Sequence, residues 1–210
     1  MINQREACLG CNRIKSLCLC SHIQKFEIEP LIVQLVHPKE VKRTIGTFRI
    51  VKLSLTNSLW IRGWGEDFDQ NQKFLNLVNN PHHYPMILYP GEDSLNISAL
   101  SREELKLKIP EGKRLVIFVI DGTWATAKQM IQRSKTIQSL PKISFEVNTP
   151  SIYEFRRQPE KFCLSTVEAV SVLIENLKQK GLCMPQPENA HAQMITSFKV
   201  LVQSQVDYLS

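Results

Sequence analysis

Residues Leu115 to Ile120 read Leu-Val-Ile-Phe-Val-Ile, six large apolar side chains in a row, and the run passes directly into Asp121-Gly122-Thr123-Trp124. A strand of this kind is apolar on both faces and must be covered on both. A parallel sheet flanked by helices supplies that cover, whereas an antiparallel sheet commonly leaves one face wet. A similar run, interrupted by Gln34, stands at Leu31–Val36, and shorter strand-like runs stand at Leu59–Arg62, Pro85–Tyr89 and Ile143–Val147. Between them lie helix-like stretches at Gly46–Leu55, 70–79, Trp124–Ile137, Thr166–Lys180 and Glu188–Tyr208. Ser101 followed by Glu104 forms a capping box that opens a further helix reaching about Lys108. The alternation predicts an α/β chain whose mainly parallel sheet is covered by helices on both faces. No apolar run approaches the ~20 residues of a membrane helix, so no membrane association is expected.

The cysteines impose a second constraint. Four of the six, Cys8, Cys11, Cys18 and Cys20, fall within thirteen residues, where an even spread would place about 0.4. The N-terminal stretch Met1–Cys8 has no basic segment leading into an apolar one, which predicts a cytosolic chain. A reducing compartment argues against two disulfides. C-x-x-C followed by C-x-C offers two thiolate pairs that can converge on one tetrahedral ion, and structural zinc is the leading expectation over an iron–sulfur cluster or a redox dithiol. Gly10 is expected to help the first pair wrap, and Arg13 and Lys15 to offset the charge of four thiolates. Cys163 and Cys183 stand alone and read as buried small hydrophobes.

At 210 residues the chain suits one domain with a small appendage. A hydrophobic share of 43% excludes disorder, and the net charge of +6 favours anionic partners such as nucleic acid. Nothing calls for an obligate protein partner. The absence of G-x-x-x-x-G-K and G-x-G-x-x-G argues against the usual ATP and NAD modes. In open parallel sheets ligands bind at the carboxyl ends of strands. Those exits read His37-Pro38-Lys39-Glu40, Leu88-Tyr89-Pro90-Gly91, Asp121-Gly122-Thr123-Trp124 and Thr149-Pro150-Ser151. Each candidate has a structural reading beside the functional one. Asp121 can cap the next helix, Trp124 can be core, His37 can be a satisfied histidine, and Ser165-Thr166 with Glu168 can be a plain helix cap.

Taken in order, these residues resemble the DTW-domain family of tRNA-uridine aminocarboxypropyltransferases. The resemblance is carried by the two cysteine pairs, by His37-Pro38-x-Glu40 with Thr47, and by Leu88-Tyr89-Pro90-Gly91. It continues through Asp121-x-Thr123-Trp124 and Leu164-Ser165-Thr166-Val167-Glu168-Ala169, the last preceded by Arg156 and Arg157. It covers roughly residues 8 to 180. Gly46 stands where the family pattern has Asn. The resemblance implies a SPOUT-like sheet that can carry a C-terminal trefoil knot, with residues 1–28 as the zinc-binding segment and 29–210 as the catalytic domain.

It also implies S-adenosylmethionine as donor of a 3-amino-3-carboxypropyl group, N3 of a tRNA uridine as acceptor, and 5′-methylthioadenosine as leaving group. Asp121 is then the catalytic candidate. Thr47, Leu88, Pro90, Gly91, Thr123, Trp124, Ser165, Thr166 and Glu168 are the candidates for holding the donor. His37, Lys42, Arg43, Arg156 and Arg157 are the candidates for holding tRNA. An ordinary aspartate is a feeble base at neutral pH, so Asp121 either gains basicity by burial beside Trp124 or orients the uracil. Two rival readings stay open, a SPOUT-type RNA methyltransferase and a non-enzymatic zinc-stabilised RNA-binding module.

Overall fold

The computed structural model of the chain describes residues 6–43, 46–147, 149–153 and 163–209. Its centre is a six-stranded sheet built from β1 (Leu31–Val36), β2 (Leu59–Arg62), β3 (His83–Leu88), β4 (Leu95–Asn96), β5 (Arg114–Asp121) and β6 (Lys142–Ser144). The spatial order is β2-β1-β5-β3-β6-β4, and every neighbouring pair runs parallel. All strand exits therefore lie along one edge.

The runs at Leu31–Val36 and Leu115–Ile120 occupy the centre, and β1 is buried over its whole length, Gln34 included. Alternate residues divide between two cores. Ile32, Ile117 and Val119 pack with α2 (Phe48–Ser54), α4 (Arg102–Lys108), α7 (Thr166–Gln179) and α8 (Ala190–Leu209). Val33, Leu35, Val116 and Phe118 face the other way, with Phe74 of α3 (Gln72–Val78), Met130 of α5 (Trp124–Arg133) and Ile137 of α6 (Lys135–Ser139). Helices thus cover both faces, as the apolar runs require.

The Ser101–Glu104 capping box is present in both directions, with the Glu104 N–H 3.2 Å from Ser101 Oγ and the Ser101 N–H 2.8 Å from Glu104 Oε2. Three expectations need correction, and two short elements are added. The single helix Trp124–Ile137 is two, because Ser134 leaves helical geometry (φ −112°, ψ 115°) and caps α6. Asp69 fixes that break by accepting from Ser134 Oγ at 2.7 Å and from the N–H groups of Lys135 and Thr136. The strand expected at Ile143–Val147 is the shorter β6. The short α1 (Pro38–Lys42) and the two-residue β4 carry no pattern that announces them. Cys183 is buried as expected, its thiol pushed up to about 12 by desolvation, but Cys163 is only half-buried.

Two buried histidines tie elements together and resist protonation. His191 of α8 lies 2.8 Å from Glu175 of α7, and His37 caps α1 by accepting from the Lys39 N–H. Burial is the largest influence on each and holds both below the ordinary 6.5. The unfolded chain takes up protons at these sites that the folded chain refuses. Their contribution is full above about pH 6.5 and is lost as the pH falls. Thermal melting followed from pH 7.5 to 5 should show falling stability, and His191→Asn should flatten that slope.

Candidate functional site

The cysteine segment is a tight turn closed on itself. Ala7 bridges Ile14, the Cys8 N–H donates to Arg13 O at 2.6 Å, and Asn12 takes the left-handed φ of 57° between them. The four sulfurs lie within 4.8 Å of one another, with Cys8–Cys18, Cys8–Cys20 and Cys11–Cys18 separations of 3.4, 3.6 and 3.8 Å. A zinc tetrahedron with Zn–S bonds of ~2.3 Å has edges of about 3.8 Å, so the donor set fits.

The thiols also conflict with one another as they stand. Backbone N–H from Cys11, then Cys18 and the Gly10 N–H, draw the Cys8 thiol down to about 6, whereas burial and the neighbouring sulfurs push Cys20 up to about 12. A divalent cation relieves that crowding. Of the two expected counter-charges only Arg13 serves the cluster directly, buried and attracted by Cys11 and Cys18, while Lys15 pairs with Glu6 at the surface. Arg13 also donates to Ser204 of α8 at 3.0 Å, and Ser197 Oγ donates to His22 O at 2.6 Å. Leu19 enters the same core as Leu201. The segment is therefore clamped to α8.

The second site lies where the chain leaves the central pair of strands in opposite directions. From β1 it passes through α1 and α2 to β2 on one side, and from β5 through α5 and α6 to β6 on the other. Such a switch point opens a crevice at the strand ends. Val36 and Asp121 are register partners there, and the His37 N–H donates to Asp121 O at 3.0 Å.

Asp121 shares its sheet face with Ile117 and Val119 and so points toward α2 and α7. It is 2% exposed, and Thr166 Oγ1 donates to its Oδ1 at 2.5 Å. The positive charge of Arg49 on α2 faces it as well. The helix-cap reading of Asp121 does not hold, because the cap of α5 is Thr123, which accepts from the Thr126 N–H at 3.2 Å. Gly122 is required between them, since a Cβ there would stand 2.6 Å from Thr126 Oγ1. Trp124 is not core either. It is 37% exposed, with the Tyr89 ring 6.4 Å away, so it presents a stacking face at the β3 side of the exit.

Glu168 is the hub of the α7 N-terminus. Its buried carboxylate accepts from Ser151 Oγ, Ile152 N–H, Ser165 N–H and Ser165 Oγ at 2.6–2.8 Å. Those four bonds pin the 151–153 turn to α7, and they also occupy Ser165. Thr47 is the buried cap residue of α2. Beside it, a side chain on Gly46 would meet the Phe48 ring at 3.0 Å, which suits glycine at the position where the family pattern has Asn. At the β3 exit, Gly91 O accepts from Ser94 Oγ at 2.6 Å, and Ser94 joins Ser144 of β6. Leu88 is half-buried, and Pro90 and Gly91 are exposed.

Among the basic candidates, Lys42 and Arg43 are exposed at the end of α1, and Arg43 pairs with Glu40 at 3.3 Å. His37 is 8% exposed, with its ring edge-on to Trp64. Arg156 and Arg157 lie outside the described residues. Sequence reasoning missed Arg49, which donates to the carbonyls of Val41 and Arg43 and so holds the α1–α2 link beside Asp121. It also left Ser151 without a role, although Ser151 stood in a strand exit.

The fold defines a parallel α/β protein with a crevice at its topological switch point and four cysteines grouped closely enough to hold a metal. A DTW domain model matches residues 5–206, and the chain belongs to the DTW-domain family. It is 25% identical over 205 residues to the mouse protein named tRNA-uridine aminocarboxypropyltransferase 2, covering 97% of this chain and 66% of that one. The fruit-fly protein of the same name is 26% identical over 183 residues, covering 85% and 69%. The Arabidopsis protein tRNA-uridine aminocarboxypropyltransferase A is 25% identical over 229 residues, covering 99% and 83%. The chain thus spans about two thirds of the animal relatives' length. No solved structure matches the chain.

Two outcomes are expected here. Metal analysis of the purified protein should find one zinc per chain, and changing Cys8 and Cys11 to Ser should remove it and lower the melting temperature, because the clamp on α8 is lost. Glu168→Gln should cost about 1–3 kcal/mol of unfolding free energy in denaturant titration, the scale of a buried hydrogen-bond network left incomplete.

Proposed function

We propose that this chain is a tRNA-uridine aminocarboxypropyltransferase. In this reading it moves the 3-amino-3-carboxypropyl group of S-adenosylmethionine to N3 of a uridine and releases 5′-methylthioadenosine. The observation that carries the reading is Asp121, a buried carboxylate held by Thr166 at the switch-point crevice of a DTW-domain chain. The names of the relatives support the reaction class.

The chemistry suits such a site. Uridine N3–H is a weak acid, so loss of its proton must be assisted before N3 can displace the sulfur at the carbon on the methionine side. The N3–C bond forms as the C–S bond breaks, and the electron pair neutralises the sulfonium. Asp121 accepts the proton or aligns the uracil edge, with Thr166 Oγ1 holding the carboxylate in one orientation. Trp124 supplies a stacking face, and the turn at Leu88–Gly91 with the backbone at Thr123 and Ser165 borders the donor. Thr47 closes the α2 side. Glu168 acts through Ser165 and the 151–153 turn. Lys42 and Arg43, with His37 behind them, approach the RNA, and Arg156 and Arg157 are assigned to the same path on sequence alone.

Residues 1–28 form the zinc-binding segment in this reading and 29–210 the catalytic unit. All four cysteines are consumed by the metal, so zinc holds structure and no step passes through it. SPOUT kinship and a C-terminal knot remain parts of the proposal.

Incubation with transcribed tRNA and S-adenosylmethionine should yield methylthioadenosine. S-adenosylhomocysteine as the product would instead favour a methyltransferase, and no turnover with no cofactor binding would favour a binding module. Asp121→Asn should fold and bind the cofactor yet lose about 100-fold or more in transfer rate. A wild-type rate in that variant would remove Asp121 from the chemistry.

A further inference from the structure

We propose that the open edge of the sheet at β2 is a docking surface for single-stranded RNA, with Trp60 as a platform on which a base next to the reacting uridine stacks. This inference rests on the proposed function and adds to it a surface that the motif residues do not include.

Among the described residues β2 ends the sheet, with β1 as its only neighbour. Its pattern is unusual for a strand beside a buried core, because Leu59, Trp60 and Arg62 are exposed and only Ile61 is buried. Trp60 keeps 36% of its surface open. The Phe48 ring packs against it at 5.8 Å, and Lys52 Nζ stands 5.2 Å over the indole. A partly exposed indole packed against α2 and accompanied by a long flexible cation has the parts of a base-stacking site. Lys52, itself exposed, can reach for a phosphate.

Register ties this surface to the crevice. Gln34 pairs with Trp60 and Val36 with Arg62, and Val36 also pairs with Asp121. In a parallel sheet register partners point to the same face, so Arg62, Trp60 and Asp121 share one. Strands lie ~4.8 Å apart, which puts Arg62 roughly 10 Å from Asp121 across the sheet, with Trp60 about 7 Å further back along β2. That separation suits a neighbouring nucleotide rather than the reacting one.

The charge identifies the occupant. Lys39 and Lys42 of α1, Lys52 of α2 and Arg62 of β2 are all exposed, and among the described residues none is paired with a carboxylate. An open strand edge can also accept a second copy of the chain. A two-fold pairing there would set these cations against their own images, which disfavours it. A polyanion with flat bases matches both the charge and the indole.

The test is tRNA affinity by filter binding or fluorescence over a series of salt concentrations, on the full chain, with transfer assayed in parallel. Trp60→Ala should weaken binding about 10-fold or more while S-adenosylmethionine binding is unchanged, and Trp60→Phe should restore most of the loss. The pair Lys52→Ala and Arg62→Ala, which leaves the core intact, should shallow the salt slope by about 0.7 for each phosphate no longer neutralised. Binding by Trp60→Ala and by the Lys52/Arg62 pair equal to wild type would overturn the proposal, even with transfer intact. A dimer that falls to monomer on Trp60→Ala with tRNA affinity unchanged would also overturn it and assign the edge to a second copy. Wild-type chain that binds tRNA but transfers nothing would end the proposed activity alone, and the docking surface would stand if the variants still weaken binding. Wild-type chain that binds no tRNA would end both.

Discussion

The parallel pairing of β1 with β5 is the constraint from which the rest of the structure follows. Both strands are buried on both faces, so neither lies against water, and their side chains divide into two cores roofed by different helices. Roofing both faces sends the chain out of β1 toward one face and out of β5 toward the other. The divergence opens the crevice, and the parallel direction brings the polar exits of both strands to it. Asp121 is polar for the same reason that it is central, being the first residue beyond the apolar run and still within the hydrogen-bonded ladder.

A second set of interactions keeps that crevice in one shape. Thr166 holds Asp121 from the α7 side, and Glu168 gathers Ser151, Ile152 and Ser165 around the start of the same helix. Arg49 spans the link between α1 and α2, and its charge interacts with both Asp121 and Cys11. The cysteine cluster and the crevice therefore share one neighbouring charge. The cluster's mechanical connection is to α8 through Arg13, Leu19 and His22, so the cysteine segment and the C-terminal helix stabilise each other across almost the whole length of the chain.

Particular residues show where sequence reading succeeds. Leu31–Val36 and Leu59–Arg62 form strands with the expected bounds, because an apolar run ended by His-Pro or by Arg-Gly carries its own stop signal. The Ser101–Glu104 cap is equally local. Ser134 is different: nothing within its own helix says that it must break there, since the acceptor that fixes the break, Asp69, lies 65 residues away. Glu168 misleads in the opposite sense. Its position three residues after Ser165 announces a cap, and it is one, but the cap also binds Ser151, which makes it the anchor of a distant turn. Trp60 carries no motif at all, and only its place on an edge strand makes it conspicuous.

The sequence by itself determined the parallel α/β class, the polar strand exits and the grouping of four cysteines, because each is written in short-range pattern: apolar runs, turn residues and paired thiols. Tertiary structure alone decided that Asp121 meets Thr166 rather than capping its own helix, that Trp124 faces solvent beside Tyr89, and that Arg62 and Trp60 share a sheet face with Asp121. Those relations depend on strand order and register. Order and register are set by which buried faces pack together across the whole molecule, a global balance that no local segment encodes.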